Sequence, residues 1–153
     1  MLPTPTCYSL VSGAAEGLTP LTAFDRALLE AGIGNLNLLK VSSILPPRAK
    51  FSARLVIPPG SLVPTAYASI TSTTPGELIA AAVAVGHSAD THGVIMETSG
   101  HYTKEEIEER IAGMVREAFA ARNRPLVKLE IISAVHRTET VGCALAAVPL
   151  WYE

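Results

Sequence analysis

Two adjacent serines in the stretch KVSSILPP, Lys40 to Pro47, place a hydroxyl beside a peptide bond that it could attack. A serine hydroxyl can attack a strained carbonyl when the chain holds the reacting atoms in line and donors stabilise the oxyanion. A hydrophobic run precedes the serines, and the pair Pro46-Pro47 follows them, which favours a rigid turn. In this context, Ser42-Ser43 is a candidate reactive bond, although paired serines also occur by chance.

Two carboxylates are further candidates for chemistry. Glu97 ends GVIME, an apolar segment that is typical of a buried strand. A carboxyl at that place is either an exposed edge residue or a desolvated acid with a raised pKa, suited to donating a proton. Asp25 lies beside the apolar stripe of the first predicted helix, where a solvent-facing aspartate is the ordinary outcome. The pattern alone leaves both roles open.

Metal, nucleotide and disulfide sites are not indicated. The four histidines lack the helical spacing of a zinc pair and have no cysteine beside them; they are His87, His92, His101 and His136. The stretch GIGN, Gly32 to Asn35, closes a predicted helix, whereas phosphate-binding glycines open one. Cys7 and Cys143 lie far apart and are predicted to be small buried side chains in strands. The sequence therefore predicts no metal.

Composition limits the possible partners. The chain has 153 residues, 48% of them hydrophobic and 17% charged, against a usual charged share of about 25%. This low share suggests that other subunits cover part of the surface. A net charge of −2 provides no basic field for nucleic acid. The apolar run from Leu78 to Gly86 is shorter than the roughly 20 residues that span a bilayer, and LPTPTCYSL after Met1 lacks secretory-signal features, so we expect a soluble, cytoplasmic protein.

Hydrophobic periodicity predicts the elements that must position these residues. We expect helices at 20–31, 75–85 and 103–122, the last beginning at a capping box of Thr103 and Glu106. Strands are predicted at 35–43, 65–72 and 93–98, with one short strand near 53–57 inside an irregular connection. The C-terminal segment from Leu126 predicts two long strands joined near Thr138-Glu139. Consecutive strands without a helix between them favour an α+β fold with an antiparallel or mixed sheet.

Several ordered blocks together resemble one family. The blocks FDRALLEAGIGNLNLLKVSSILPP, LVPTAYASI, PGE, GVIME and GCALAAVPLWY are similar to the pyruvoyl-dependent arginine decarboxylases, and the similarity runs from about Leu10 to Tyr152. The resemblance implies an αββα sandwich in a single domain, assembled as trimers or as hexamers of stacked trimers. It also implies active sites between neighbouring subunits.

The same resemblance implies that the bond between Ser42 and Ser43 is cut by the chain itself. The Ser43 hydroxyl would attack the Ser42 carbonyl, and β-elimination and hydrolysis would leave a pyruvoyl group in place of Ser43. The products would be residues 1–42, the β chain, and residues 43–153, the α chain. The pyruvoyl cofactor would form a Schiff base with L-arginine and accept the electron pair released with carbon dioxide, so that hydrolysis yields agmatine.

Three further roles follow from the resemblance. Glu97 would protonate the former α-carbon, which agrees with a desolvated acid at the end of GVIME. Asp25 would bind the guanidinium group of the substrate, and a bidentate carboxylate is selective for arginine. Asn37 would orient the substrate or the reacting carbonyl; it shares a strand face with Leu39 and Val41, but its reach to the site follows from the resemblance only.

Two alternative functions stay open. One is a pyruvoyl decarboxylase of another amino acid, such as histidine, with Asp25 as the discriminating residue. The other is an unprocessed, non-catalytic oligomeric relative, which would be expected to lose Ser43 or Glu97, whereas this sequence has both. The sequence also leaves open whether the oligomer is a trimer or a hexamer. It does not specify whether agmatine is used in polyamine synthesis or in acid resistance.

Overall fold

Two β-sheets and two α-helices form the chain in a computed structural model that describes residues 2–153. The helices are α1 (Pro20–Glu30) and α2 (Lys104–Ala121). The strands are β1 (Cys7–Tyr8), β2 (Val11–Glu16), β3 (Asn37–Lys40), β4 (Ile44–Leu45), β5 (Lys50–Phe51), β6 (Leu62–Ser72), β7 (Leu78–His87), β8 (Gly93–Gly100), β9 (Lys128–Arg137) and β10 (Gly142–Trp151).

The strands divide between a six-stranded and a four-stranded sheet. The first sheet has the order β3-β6-β10-β1-β5, with β2 also paired to β10, and the second has the order β4-β8-β7-β9. The pairs β1–β5 and β3–β6 are parallel, and the other pairs are antiparallel. The predicted α+β class with a mixed sheet is therefore confirmed for a single small domain.

Side-chain caps set the helix boundaries. Thr19 caps α1 and forms a capping box with Thr22, and Pro20 takes the first turn, where its missing N–H costs nothing. The helix ends at Ala31, and Gly32 follows with φ +82°, a conformation that glycine adopts without strain. In α2, Thr103 and Glu106 form the predicted capping box. The helices predicted at 20–31 and 103–122, and the turn at GIGN, are confirmed.

The predicted helix at 75–85 is wrong, because this segment forms β7. Alanine favours helices, but the segment LIAAAVAV pairs with both β8 and β9 and is buried on both faces. It therefore has no alternation of buried and exposed residues that could distinguish a helix from a strand. The strand predicted near 53–57 is also wrong, since short strands form instead at β4 and β5. The structure thus has two helices in the described residues rather than three.

Three apolar clusters hold the elements together. Residues of both sheets pack in one cluster that includes Ile79, Val83, Ile95 and Val148. A second cluster joins α2 to the four-stranded sheet, and a third joins α1 to the six-stranded sheet. The chain passes from the first sheet to the second between β3 and β4, so residues 41–43 cross between the sheets.

Candidate active site

Ser43 lies at the crossing between the sheets and is fixed on both sides. Before it, the N–H of Val41 donates to the carbonyl of Thr65, 3.2 Å away on β6. After it, the N–H of Ile95 on β8 donates to the Ser43 carbonyl at 2.9 Å. Ser43 is 8% exposed, whereas its neighbour Ser42 is exposed. The two serines are therefore held between strands of different sheets.

The backbone of Ser43 is strained. Its φ is 101°, in a region that residues other than glycine rarely adopt. Such a conformation costs on the order of 1–3 kcal/mol and persists only where the surrounding structure imposes it. Here the hydrogen bonds of the flanking strands do so, and the strain falls on the residue that contributes the nitrogen of the Ser42–Ser43 bond.

Glu97 meets Ser43 from the second sheet. The Ser43 hydroxyl donates to Oε2 of Glu97 at 3.1 Å, across 54 positions of sequence. Glu97 lies on β8 opposite Val83 and is half-buried. Burial raises the pKa of the Glu97 carboxyl, and this effect exceeds the opposing effects of the Ser43 hydrogen bond and the charge of Lys40. The site thus pairs a strained serine with a carboxyl whose pKa is raised by burial.

Lys40 is a member of this site that the sequence analysis did not single out. Its positive charge acts on Glu97, and its ammonium nitrogen lies 4.8 Å from the centroid of the Tyr67 ring. A cation over an aromatic face is held in place by the ring quadrupole. The signal was present in KVSS, because a lysine three residues before Ser43 is the charge nearest in sequence to the predicted reactive bond.

Asp25 lies on the outer face of α1. It is two positions from both Ala23 and Ala27, which are fully buried, and two helical positions correspond to a rotation of about 200°. Its carboxylate is therefore directed away from the core. Leu21 and Leu29, four positions to either side, are 74% and 51% exposed. An exposed stripe of leucine, aspartate and leucine results, without contact to Ser43 or Glu97 among the described residues.

Asn37 begins β3, six positions before Ser43, and is exposed. Its side-chain amide donates to the carbonyl of Gly60 at 2.9 Å and so holds the turn that leads into β6. The hydrogen bonds of the described chain therefore bring Ser43 and Glu97 together but leave Asn37 and Asp25 outside that pair.

Two cavities lie elsewhere in the domain, and neither is lined by Ser43 or Glu97. One of about 380 Å³ lies under the C-terminal end of α1, and its lining includes Ser9, Asn35, Arg54 and Pro149. Another of about 260 Å³ adjoins the segment after β4, beside His87.

Across residues 2–153, no group of three or more His, Cys, Asp or Glu side chains is placed to hold a metal ion. In the same range, no helix is long and apolar enough to cross a membrane.

Comparison with known proteins identifies the family of this chain. Residues 7–153 match the family model described as pyruvoyl-dependent arginine decarboxylase. A protein of that name from Methanocaldococcus jannaschii is 47% identical over 151 residues, which cover 97% of this chain and 92% of that protein. The protein of the same name from Pyrococcus abyssi is 43% identical over 152 residues, 97% of this chain and 96% of that protein. The chain belongs to the pyruvoyl-dependent arginine decarboxylase family.

Proposed function

We propose that this protein decarboxylates L-arginine to agmatine and carbon dioxide, using a pyruvoyl group made from its own Ser43. One observation supports this most directly: Ser43 is buried and strained, and its hydroxyl lies 3.1 Å from Glu97. A serine with these properties fits the precursor of a group that must end up beside a proton donor. Membership of the family supplies the reaction class.

Self-cleavage is the first chemical step in this proposal. The Ser43 oxygen attacks the Ser42 carbonyl carbon, the carbon–nitrogen bond breaks, and an ester replaces the amide. Loss of the α-proton of Ser43 then eliminates the Ser42 carboxylate and leaves dehydroalanine at position 43. Water hydrolyses this residue to the pyruvoyl group and ammonia. Residues 1–42 and 43–153 become separate chains, and the strained Ser43 backbone favours this reaction because cleavage releases the strain.

The residues of the chain then bind the substrate and move its proton. The pyruvoyl carbonyl supplies the electron sink for loss of carbon dioxide. Glu97 holds the proton that the former α-carbon receives, since burial raises the pKa of its carboxyl and favours the protonated form. The positive charge of Lys40 lowers the pKa of this carboxyl and so opposes the effect of burial. In this assignment Glu97 is the catalytic acid, and Ser43 is the cofactor precursor.

Asp25 binds the guanidinium group of arginine in our proposal, and the site is completed between subunits. The exposed stripe of Leu21, Asp25 and Leu29 offers a carboxylate between two apolar side chains, which matches a guanidinium on a methylene chain. Because Asp25 is directed away from its own core, it serves the Ser43 of a neighbouring copy. We assign Asn37 to the same intersubunit site, where it orients the substrate.

Assembly and location complete the proposal. The apolar clusters on both sides of the sheets support an αββα sandwich, and exposed Leu39, Ile44 and Leu62 near the β3 edge support association into trimers or hexamers. The two buried cysteines, Cys7 and Cys143, are free thiols, which suits a reducing compartment, and we therefore assign the enzyme to the cytoplasm.

Intact-mass spectrometry of the purified protein tests the proposal. We expect two fragments that meet between Ser42 and Ser43, with the longer fragment carrying a pyruvoyl mass that shifts on borohydride reduction. The same preparation should release agmatine from arginine. A single chain of 16.1 kDa that stays uncut would contradict self-cleavage and favour the non-catalytic relative. Processed protein that decarboxylates histidine instead of arginine would contradict the substrate assignment.

A further inference from the structure

Two polar clusters join the segment before Ser43 to the segment after it. In the Glu16 cluster, a carboxylate at the end of β2 meets His136 of β9, with 2.5 Å between Oε2 and Nε2. The backbone N–H groups of Thr140 and Val141 also donate to Oε1 of Glu16, at 2.8 and 3.1 Å. Every partner of Glu16 in this cluster thus belongs to the part of the chain after Ser43.

The Tyr8 cluster likewise joins a residue before Ser43 to residues after it. The hydroxyl of Tyr8, on β1, donates to Oε1 of Glu130 at 2.5 Å. Nε2 of His87 lies 2.6 Å from the same oxygen and 3.2 Å from the Tyr8 hydroxyl. Tyr8 is 2% exposed, and the Glu130 side chain is 18% exposed, so these groups are largely shielded from water.

Both clusters connect the two sheets. Tyr8 and Glu16 belong to strands paired with β10 of the first sheet, opposite Leu150 and Gly142 respectively. Their partners Glu130 and His136 lie on β9 of the second sheet. The two β10 residues, Gly142 and Leu150, are eight positions apart, a distance of about 27 Å along an extended strand. The clusters therefore join β1 and β2, which pair with opposite ends of β10, to the second sheet.

Close packing and the polar clusters specify the same register for these strands. Along β2, Gly13 faces Leu145 of β10, and a Cβ at Gly13 would lie 2.4 Å from the carbonyl oxygen of Ala27 on α1. A slip by two residues would keep the same faces directed to the core but would place Val11 or Ala15 opposite Leu145 instead of Gly13. The same slip would separate Glu16 from its partner on β9.

We infer that the Glu16 and Tyr8 clusters retain the 1–42 fragment on the 43–153 fragment, in the correct register, after the chain has been cut. This inference rests on the proposed self-cleavage, which turns both clusters from contacts within one chain into contacts between two. The surface concerned is the face formed by β10 and the adjoining end residues of β9, and its partner is the N-terminal piece of the same protein.

Processed protein with Glu16→Gln, Tyr8→Phe and both changes tests the inference. Intact mass first verifies that each variant is cut. Release of the 1–42 fragment is then followed by size exclusion over a dilution series in sub-denaturing urea. Each cluster contains a hydrogen bond to a charged group, so we expect the double variant to bind the fragment about tenfold or more weakly. Glu108→Gln is the matched control, because the partners of Glu108, Lys104 and Ser133, both belong to the long fragment.

A double variant that retains the fragment as tightly as the unmodified protein would overturn the inference, and so would equal loss in the control. Combining Glu16→Gln with His136→Gln should add little to Glu16→Gln alone, since both changes break one cluster. If the unmodified chain stays uncut, the proposed self-cleavage fails. The clusters are then tested by hydrogen exchange on the whole chain: Glu16→Gln should lower the protection of β2 amides relative to those of α2, and unchanged protection would overturn the inference.

Discussion

The hydroxyl of Ser43 donates to Glu97 across 3.1 Å, although 54 positions of sequence separate the two residues. The contact exists because β4 pairs with β8 directly after Ser43, which brings the end of the crossing segment alongside Glu97. In the proposed mechanism, one carboxyl therefore touches the precursor of the cofactor before cleavage and serves as the proton donor after it.

Changing Glu97 to Gln should separate cleavage from turnover. The amide oxygen can still accept the hydrogen bond from Ser43, so self-cleavage should continue. The amide cannot deliver a proton, and loss of a general acid lowers kcat by roughly 100-fold to 10,000-fold. Intact mass and agmatine release measure the two steps separately. Full activity in this variant would remove Glu97 as the proton donor.

Turnover should decline as the pH rises through the pKa of Glu97. Burial raises this pKa above 4.5, so the protonated acid persists to a higher pH than for an exposed glutamate. The active form is therefore present below the raised pKa and is lost above it. A profile of kcat against pH measures the falling limb. Lys40→Met removes a charge that lowers the pKa, so the limb should move to higher pH; a shift to lower pH would contradict this role of Lys40.

Changing Asp25 to Asn should affect substrate binding and leave self-cleavage intact. The carboxylate lies on the exposed face of α1, so the fold does not depend on its charge. Loss of a hydrogen-bonded ion pair to guanidinium should raise KM for arginine by roughly 10-fold to 100-fold. Arg26→Gln, a change of the adjacent exposed charge, is the control. Arginine kinetics that are unchanged in Asp25→Asn would defeat the assignment.

Strain at Ser43 can be measured by comparing two variants that cannot cleave. Both Ser43→Ala and Ser43→Gly lack the attacking hydroxyl, but only glycine adopts a φ near 101° without steric cost. We expect the glycine variant to be more stable by about 1 kcal/mol in urea unfolding. Equal stability, or greater stability of the alanine variant, would show that the native backbone at Ser43 is not strained.

Acid should weaken the folded state partly through Glu16. The His136 side chain and the turn amides lower the pKa of the Glu16 carboxyl to about 2, from 4.5, despite the opposing effect of burial. A depressed folded-state pKa means that the stabilisation is complete above 4.5 and is lost as the pH falls towards 2. Glu16→Gln should therefore flatten the dependence of the free energy of unfolding on pH in this window. The exposed Glu117→Gln is the control, and a curve unchanged by Glu16→Gln would contradict the assignment.

Much of the fold could be predicted from local patterns, and the errors of the prediction have a physical cause. The capping residues Thr103 and Glu106 and the turn after Ala31 are local signals, and the structure has them where predicted. The segment 78–87 has neither alternation nor a helical stripe, since it is buried on both faces, and alanine content then misleads. The sheet order depends on pairings such as β10 with β2, which local periodicity cannot specify.

The sequence predicts which residues belong to the candidate site better than it predicts how they are arranged. Ser43 and Glu97 were named from their segments and from the family resemblance. Their contact depends on a crossing between two sheets. The segment around Ser43, whose φ is positive, is held by hydrogen bonds from Val41 to Thr65 and from Ile95 to the Ser43 carbonyl, both between distant positions. Lys40 was missed because its effect acts through the position of Glu97, which the sequence does not provide.

The crossing of residues 41–43 between the sheets has a consequence for the biogenesis of the enzyme. Ser43 reaches its strained conformation only when β3 has joined the first sheet and β4 has joined the second. Under the proposed self-cleavage, a nascent or misfolded chain that lacks this conformation would not form its pyruvoyl group. Processing would then depend on the correct folding of both sheets, and a misfolded chain would not carry a reactive ketone. Accordingly, urea that melts either sheet of a freshly synthesised precursor should stop its processing.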